Sequence, residues 1–398
     1  MPNRTIVAMP GDGIGKVVLD EAIRVLSKAG FNADYVEADI GWEFWRSEGN
    51  PLPSRTLDLI EKHKIGLFGA ITSKPKDEAF EELAPELQDK ELVYSSPIVG
   101  LRQHFGLDIC LRPCRTYTGN PLNFIRRGPN NSIEEPKVDV AIFRQNTEGL
   151  YGGVEWSNPP EKVYDALMTH PKFSQNFGDA PKDEVSVSTR IFTKKYTERI
   201  VRAAFEHAKK YSYKSVTVCE KPNVIRETSG MMYKMAQQIQ KADFPSIELW
   251  NTNIDAQMMW LTKNPENYGV IVAGNMFGDI VSDGFAGLIG GLGFACSAQY
   301  NPETGIGVFE PTHGSAPKYA DYPVSIVNPI AMVESSCMML DFIDEQNIAG
   351  KIRKAVAEVV MEGKVQTYDM AKMTGQANVV AEGAASTIEM ADAIIDKL

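Results

Sequence analysis

The sequence is poor in the features that mark secreted, membrane-spanning and nucleic-acid-binding proteins. Its 398 residues contain only five cysteines, none in C-x-x-C spacing, so we expect reduced thiols in a cytoplasmic protein. No run of about 18 apolar residues is present, and the first residues include no apolar stretch of signal-peptide length. The formal net charge of -11 argues against nucleic acid or an anionic membrane as a partner. We therefore expect neither of these partners.

Two common nucleotide-binding templates are also missing. A glycine turn, Pro10–Lys16, joins a predicted strand (Thr5–Met9) to a predicted helix (residues 16–29). Its third glycine comes one residue too early for the Rossmann template. The Walker A template fails because Pro10 replaces its first glycine and Val17 its Ser or Thr. A phosphotransferase is disfavoured, and the turn alone predicts only a tight connection.

Short apolar runs alternate with helical patterns along most of the chain. This alternation predicts an α/β fold with a parallel sheet covered by helices. A polar, proline-rich stretch at residues 156–185 predicts an inserted arm, and residues 384–398 predict a closing helix. The further predicted strands are Ala33–Glu37, Ile65–Phe68, Val138–Phe143, Ser215–Cys219, Ile247–Asn251 and Val270–Ala273.

Three arginines lie beside apolar, strand-like runs. Arg102 and Arg112 flank one such run, and Arg144 directly follows the predicted strand Val138–Phe143. Guanidinium groups bind carboxylates through two parallel hydrogen bonds, and a strand end holds them rigidly. Each arginine alone is typical of a surface ion pair. Together they indicate a substrate with more than one carboxylate.

Two aspartates four residues apart follow the apolar run VIVAG. Asp279 and Asp283 would share one face of a helix, where like charges repel. A hard cation removes that repulsion, and oxygen ligands suit Mg²⁺ or Mn²⁺. Asp255, after another predicted strand, is a third candidate ligand. In isolation, a helix-capping Asp279 and a solvated Asp283 explain the pattern equally well.

Two further residues are candidates for proton transfer. Lys221 comes just after a predicted buried strand, where desolvation would lower the pKa of a lysine and make it a possible base. Tyr151 follows the segment NTEGL. Taken alone, Lys221 is also consistent with an ordinary surface lysine.

Together these segments resemble the isocitrate/3-isopropylmalate dehydrogenase family of β-decarboxylating dehydrogenases, over essentially the whole chain. The motifs are PGDGIG, LR…LRP, FRQNTEGLYGGVEW, KPN, GNMFGDIVSDGFAGLIGGLG and EPTHGSAPKYAD. The resemblance implies a discontinuous large α/β domain (1–108 and 290–398), a small α/β domain (109–148 and 195–289) and a dimer clasp (149–194). It also implies a homodimer whose active sites are each built from two chains.

The resemblance implies a role for each candidate. Arg102, Arg112, Arg144 and Ser96 would bind the substrate, and Tyr151 would protonate the carbon that loses CO₂. Lys221 of the neighbouring subunit would take or relay the hydroxyl proton. The divalent metal, Mg²⁺ or Mn²⁺, would be bound by Asp279, Asp283 and the neighbour's Asp255.

The resemblance also implies a dinucleotide site, and four positions indicate NADP. Lys318 and Tyr319, with Tyr368 and Lys372, resemble the basic and phenolic set that binds a 2′-phosphate, although the family usually has Arg where Lys372 stands. The implied cofactor-binding residues are Ile14, Thr72, Asn223, Glu310, His313, Gly314, Ser315, Ala316, Lys318, Tyr319, Asn328, Tyr368 and Lys372.

The substrate indications diverge. The long interval between Tyr151 and Lys221 resembles bacterial NADP-dependent isocitrate dehydrogenases, and Ser96 fits that pattern. Ile98, however, replaces the usual Asn, Phe68 stands where Lys is common, and SSPIVGLR resembles homoisocitrate dehydrogenases. We predict oxidative decarboxylation of isocitrate to 2-oxoglutarate and CO₂, with homoisocitrate or another 3-substituted malate, such as 3-isopropylmalate, as the alternative. The rival classes are a non-catalytic regulatory subunit and a nucleotide-dependent transferase.

Overall fold

The structure is a computed structural model that describes residues 4–398, and it is organised around one ten-stranded sheet. The strands are β1 (Arg4–Gly11), β2 (Ala33–Glu37), β3 (Ile65–Ala70), β4 (Ile109–Arg115), β5 (Arg126–Arg127), β6 (Ile133–Glu134), β7 (Asp139–Gln145), β8 (Glu155–Ser157), β9 (Ser186–Ser188), β10 (Ser215–Glu220), β11 (Glu248–Asn253), β12 (Val270–Ala273), β13 (Cys296–Asn301) and β14 (Ile306–Pro311).

Helices cover both faces of this sheet. They are α1 (Gly15–Lys28), α2 (Trp42–Glu48), α3 (Ser54–His63), α4 (Lys76–Glu81), α5 (Pro97–Phe105), α6 (Glu161–Met168), α7 (Pro171–Phe177), α8 (Lys194–Lys210), α9 (Thr228–Asp243), α10 (Ile254–Lys263), α11 (Asn275–Leu288), α12 (Pro317–Ala320), α13 (Ile330–Phe342), α14 (Gln346–Glu362) and α15 (Thr387–Ile395). The predicted α/β class is confirmed.

The sheet is mixed rather than purely parallel. Its order is β11-β10-β12-β7-β4-β13-β14-β3-β1-β2. Strand β4 is antiparallel to both β7 and β13, and β13 is antiparallel to β14. The expectation of an all-parallel sheet was therefore wrong at the centre. The four parallel strands β11, β10, β12 and β7 run opposite to the parallel group β14, β3, β1 and β2.

Side chains of the central strands alternate between two helical layers, as the two-residue period of a strand requires. Val140 and Ile142 pack in the core that includes α11, whereas Ala141 and Phe143 pack in the core that includes α8. Arg144 continues the first series and contacts residues of α11. This alternation, not a position at the strand end, directs the arginine towards α11.

The positions of all three arginines differ from the sequence-based expectation. Arg102 lies on helix α5 rather than beside a strand, and Arg112 and Arg144 lie inside β4 and β7. The error has a physical origin. Helix α5 begins at Pro97 and ends before Gly106, which has a left-handed C-cap conformation. This helix was missed because the prediction rested only on the apolar run LDICL that follows it.

The predicted arm is formed by a short hairpin and two helices. β8 and β9 pair antiparallel, with Trp156 opposite Val187, and α6 and α7 lie between them. Both helices are fully described, and neither contains a buried residue. The predicted division into two domains and a clasp stays a prediction. Among residues 4–398, no helix is long and apolar enough to cross a bilayer.

A half-buried histidine on α8 makes stability depend on pH. His207 packs against the rings of Phe143, Tyr211 and Tyr213. Burial, with a smaller contribution from the charge of Lys210, lowers the pKa of His207 to about 4. The neutral ring therefore favours the folded state above the ordinary pKa of 6.5, and this contribution is lost as the pH falls from 6.5 towards 4.

We expect the variant His207→Gln to lose less unfolding free energy than the wild type between pH 7 and pH 4. The pKa shift limits the difference to about 3 kcal/mol. Urea unfolding at several pH values measures it. Two parallel pH profiles would contradict the assignment. The charges of Asp139 and Arg115 also affect the pKa of His207, and both residues are present in the wild type and in the variant.

Candidate active site

Two buried arginines and two more exposed aspartates form one centre, here called the arginine–aspartate cluster (Arg112, Arg144, Asp279 and Asp283). One Arg112 nitrogen, Nη1, donates to Asp279 Oδ1 and to Asp283 Oδ1, both at 3.1 Å. Nη1 also lies 2.8 Å from Ser282 Oγ. Arg144 Nη1 donates to the same Asp279 oxygen. The predicted placement of both aspartates on one helical face is confirmed by these contacts.

A glycine allows α11 to approach β7 this closely. A Cβ at Gly278 would lie 2.7 Å from Arg144 Cβ, which is closer than side-chain carbons pack. Asp279, the next residue, is thereby held against both guanidinium groups. Burial raises the pKa of Asp283, and the nearby charge of Arg112 opposes that rise.

The oxygen donors of this cluster fit a hard divalent cation only in part. Asp279 and Asp283 supply two carboxylates, the ligand type that Mg²⁺ and Mn²⁺ prefer. Among residues 4–398, no three His, Cys, Asp or Glu side chains converge into a metal site. The third predicted ligand, Asp255, lies elsewhere. A cation bound at the two aspartates would therefore take further ligands from substrate, water or a second chain.

The third arginine completes a concentration of positive charge. Arg102 Nε donates to Gln299 Oε1, and its Nη2 lies 3.4 Å from Glu310 Oε1. Burial, followed by the charges of Arg112 and Arg102, lowers the pKa of Arg144 below its ordinary value. Anionic groups that bind among the three guanidiniums would relieve this repulsion. The arrangement suits a ligand with several carboxylates.

Tyr151 lies beside the arginine–aspartate cluster. Its ring centroid is 5.7 Å from Arg144 Cζ, and 45% of the residue is exposed. Burial, and then the negative charge of Asp279, raise the pKa of its hydroxyl. A tyrosine that keeps its proton at neutral pH is suited to donate one. The geometry is compatible with the predicted role, which stays a prediction.

Lys221 and Asp255 form a separate centre, here called the lysine–aspartate pair. Lys221 Nζ donates to Asp255 Oδ1, and this bond is the main cause that lowers the pKa of Asp255. They follow the neighbouring parallel strands β10 and β11, whose carboxyl ends share one edge of the sheet. Among the described residues, no direct hydrogen bond or ion pair joins this pair to the arginine–aspartate cluster.

Exposed apolar residues accompany the lysine–aspartate pair. Val224 is 68% exposed, Met259 49% and Trp260 41%, and Ile280 of α11 is 41% exposed. Exposed large apolar side chains can take part in a protein–protein contact. Their exposure is compatible with a site completed by a second chain.

A cleft of about 500 Å³ joins the predicted substrate and cofactor residues. Thr72 Oγ1 lies 2.7 Å from Ser315 Oγ, and the Ile14 amide donates to Ser315 O at 3.0 Å. Gly13 has φ +55°, and a Cβ there would lie 2.2 Å from Ser315 O, so the turn requires glycine. The predicted site residues that line the cleft are Thr72, Ser96, Arg102, Arg112, Glu310, His313, Gly314, Ser315 and Ala316.

A second group of predicted cofactor residues lies around Tyr319. Its ring is 5.5 Å from that of Tyr368 and 5.4 Å from Lys318 Nζ. Asn328 Nδ2 donates to Asp369 Oδ2 at 3.3 Å, and the chain continues to an exposed Lys372 with φ +55°. The remaining candidate, Asn223, is separate: it is exposed and follows Lys221 by two residues.

Sequence reasoning missed several residues that hold this site together. The Asp12 carboxylate accepts from the amides of Trp42 (2.6 Å) and Thr72 (2.7 Å). Asn275 Oδ1 accepts from Arg144 Nε at 2.9 Å. A polar residue inside the PGDGIG turn and another two residues after strand β12 were the available signals. Gln299 offered no comparable signal, because it lies inside β13 among other polar residues.

Comparison with known proteins identifies the family. The family described as isocitrate/isopropylmalate dehydrogenase matches residues 5–394. The chain belongs to this family. Protein DlpA of Legionella pneumophila is 37% identical over 393 residues, which cover 98% of this chain. The chain spans only 58% of the length of DlpA.

Other members of the isocitrate/isopropylmalate dehydrogenase family match nearly from end to end. A 3-isopropylmalate dehydrogenase of Archaeoglobus fulgidus is 35% identical over 361 residues, covering 91% of this chain and 93% of that protein. The crystal structure of isocitrate dehydrogenase from Methylococcus capsulatus has a TM-score of 0.79 at 31% identity and covers 99% of both chains. The predicted resemblance and fold are thus confirmed, whereas the relatives' names differ in substrate.

Proposed function

We propose that the chain catalyses oxidative decarboxylation of isocitrate to 2-oxoglutarate and CO₂ with NADP and a divalent metal. One observation carries the proposal: two of three neighbouring arginines line the same cleft as the dinucleotide-loop residues. Arg102 and Arg112 are the two, and Arg144 shares Asp279 with Arg112. A polycarboxylate bound there lies beside the place where a nicotinamide cofactor would lie.

In this reaction each site residue has a separate role. Arg102, Arg112 and Arg144 bind and orient the carboxylates of the acid. Lys221 of a second copy accepts the proton of the substrate hydroxyl, and a dinucleotide bound in the cleft would supply the hydride acceptor for the carbon that carries this hydroxyl. The carboxylate beta to the new carbonyl leaves as CO₂, and Tyr151 donates a proton to the carbon left behind. A divalent cation held by Asp279 and Asp283, with Asp255 of a second copy, would supply Lewis acidity near the hydroxyl.

The alternative substrates are homoisocitrate and other 3-substituted malates such as 3-isopropylmalate. Ser96 lines the cleft and suits a polar third substituent, but Ile98 and Phe68 also line it. Both apolar side chains are buried, at 8% and 1% exposure. A longer or less polar substituent would contact them favourably. A relative from Methanocaldococcus jannaschii, 34% identical, is named homoisocitrate dehydrogenase.

The preference for NADP rests on the basic and phenolic residues around Tyr319. Lys318 and Lys372 are exposed, and the rings of Tyr319 and Tyr368 lie 5.5 Å apart. Cations and phenolic hydroxyls bind a 2′-phosphate, whereas an acidic residue would repel it. A relative from Archaeoglobus fulgidus, 31% identical, is named isocitrate dehydrogenase [NADP].

The separation of the two centres supports a homodimer with shared sites. Each centre lacks groups that the other contains, and the lysine–aspartate pair lies among exposed apolar residues. A second copy would bring its lysine–aspartate pair to the arginine–aspartate cluster of the first.

The decisive experiment is a matrix of steady-state assays on the purified chain. Isocitrate, homoisocitrate and 3-isopropylmalate are each combined with NADP or NAD and with Mg²⁺ or Mn²⁺. We expect the highest kcat/KM for isocitrate with NADP, and no turnover after the metal is chelated. A higher kcat/KM on another acid contradicts the substrate assignment. A preference for NAD contradicts the cofactor assignment, and inactivity on every acid would favour a regulatory subunit.

A further inference from the structure

A fully buried carboxylate lies between the two centres. Glu220 is the last residue of β10, directly before Lys221, and it has no exposed surface. Burying a charge is costly unless the charge is paired and its hydrogen bonds are satisfied. Glu220 meets both conditions, and the groups that satisfy it come from three different parts of the chain.

The first part is the segment that carries the lysine. Ser229 Oγ donates to Glu220 Oε2 at 2.6 Å and accepts from the Lys221 amide at 3.3 Å. Ser229, in the first turn of α9, is itself completely buried. The backbone of Lys221 is therefore tied to the Glu220 carboxylate through one hydroxyl group.

The second part is the start of the helix that carries both aspartates. The Gly274 amide donates to Glu220 Oε1 at 2.7 Å. The next residue, Asn275, accepts from Arg144 Nε at 2.9 Å and donates from Nδ2 to Glu148 O at 3.1 Å. Glu220 thus fixes the residue that precedes α11, and through Asn275 it supports the orientation of Arg144.

The third part is the end of the arm. Arg190 Nη2 donates to Glu220 Oε2 at 2.8 Å, and its Nη1 donates to Ser229 Oγ at 2.9 Å. The guanidinium also stacks on two rings, with its Cζ 4.5 Å from the Phe192 centroid and 5.0 Å from the Phe277 centroid. Phe277 belongs to α11. Arg190 therefore neutralises Glu220 and anchors the arm to the same helix.

We propose that Glu220 is a positioning residue that links the two centres: it holds the backbone of Lys221 through Ser229 and the start of α11 through Gly274. This inference rests on the proposed function, in which Lys221 acts in the site of a second copy while α11 serves its own site. Each Glu220 would then support both active sites of the dimer. A shift of the arm at Arg190 would reach both sites through the same carboxylate.

The first test separates positioning from simple stability. Glu220→Gln keeps the size of the side chain but removes its charge, and we expect kcat to fall about 10- to 100-fold. We also expect faster amide hydrogen exchange in peptides that contain Gly274 and Lys221. The matched control is Glu334→Gln, which removes a buried carboxylate bonded to Tyr117 (2.5 Å) and Arg353 (3.2 Å), away from both centres.

The control should lower the melting temperature but change neither kcat nor exchange at Gly274 and Lys221. The inference is overturned if Glu220→Gln behaves like the control, with lower stability alone. Hydrogen exchange needs no substrate, so it tests the linkage even if the wild type oxidises none of the acids. In that case the proposed function fails while the linkage is still decided.

The second test uses hybrid dimers to separate the effect of Glu220 on Lys221 from its effect on α11. A dimer with Lys221→Met in one chain has one complete site, which uses the lysine of the other chain. We expect Glu220→Gln to reduce the activity of that site from either chain. Ser229→Ala keeps the Glu220–Arg190 pair and the bond to Gly274, so it should act only from the chain that provides the lysine. The proposed link is overturned if Glu220→Gln lowers the activity of the complete site when placed in one of the two chains but not when placed in the other.

Discussion

Mixing two inactive variants, Lys221→Met and Tyr151→Phe, is expected to restore about a quarter of the wild-type activity, because half of the dimers are hybrids and half of their sites are complete. Each variant alone should lower kcat about 10²- to 10⁴-fold through loss of a proton-transfer group. The expectation follows from the geometry. Tyr151 lies at the arginine–aspartate cluster, whereas Lys221 pairs with Asp255 in the other centre.

The measurement is activity after the two variants are mixed under conditions that exchange subunits, or after co-expression. The matched control mixes Lys221→Met with Asp255→Asn. Both changes then affect the lysine–aspartate pair, every site of every dimer keeps one defect, and no recovery is expected. Equal recovery in both mixtures would contradict the assignment of these residues to opposite chains. Absence of recovery in the first mixture would show that each site is completed within one chain.

Asp279→Asn is expected to lower kcat at least about 10³-fold even at high Mn²⁺, since a bound metal contributes several kcal/mol to such a reaction. Asp279 has two roles in the structure. It accepts from both Arg112 and Arg144, and it is one of two carboxylates available to a cation. The uncharged amide fills neither role, because it is a poor ligand for Mn²⁺ and leaves two guanidiniums less compensated.

Mn²⁺ binding by calorimetry, together with kcat as a function of Mn²⁺ concentration, measures the two effects separately. Asp341→Asn is the matched control, because Asp341 is a partly exposed carboxylate paired to Arg353 at 2.7 Å in another part of the chain. We expect wild-type Mn²⁺ affinity and kcat for the control. Retention of Mn²⁺ binding by Asp279→Asn would refute the role of this carboxylate as a ligand.

The sequence predicted strands β10 and β12 well because their signals are local. The run VIVA is strand β12 with the predicted bounds, and the predicted strand Ser215–Cys219 extends by only one residue. The direction of the central strands was not predictable in the same way. Whether β4 and β13 run parallel or antiparallel depends on partners far away in sequence, and no local pattern specifies them.

In the candidate site, too, local features were predictable and features that depend on distant parts of the chain were not. Spacing alone placed Asp279 and Asp283 on one helical face, and the contacts of Arg112 agree. The positions of Lys221 and Asp255 relative to this cluster depend on how strands β10 and β11 are ordered in the sheet. Glu220 was missed for a further reason. A charged residue at the end of an apolar run is usually where a strand reaches solvent, whereas here the strand ends inside the protein.

The ion pairs of the arginine–aspartate cluster have a thermodynamic consequence for the proposed reaction. In the free protein, Asp279 is paired with the same two arginines that would bind the acid in the proposed reaction. A cation that draws this carboxylate away leaves Arg112 and Arg144 free for the substrate, and a substrate that engages them leaves Asp279 free for the cation. Each ligand removes the competitor of the other. By linkage, metal and acid would therefore raise each other's affinity by the same factor.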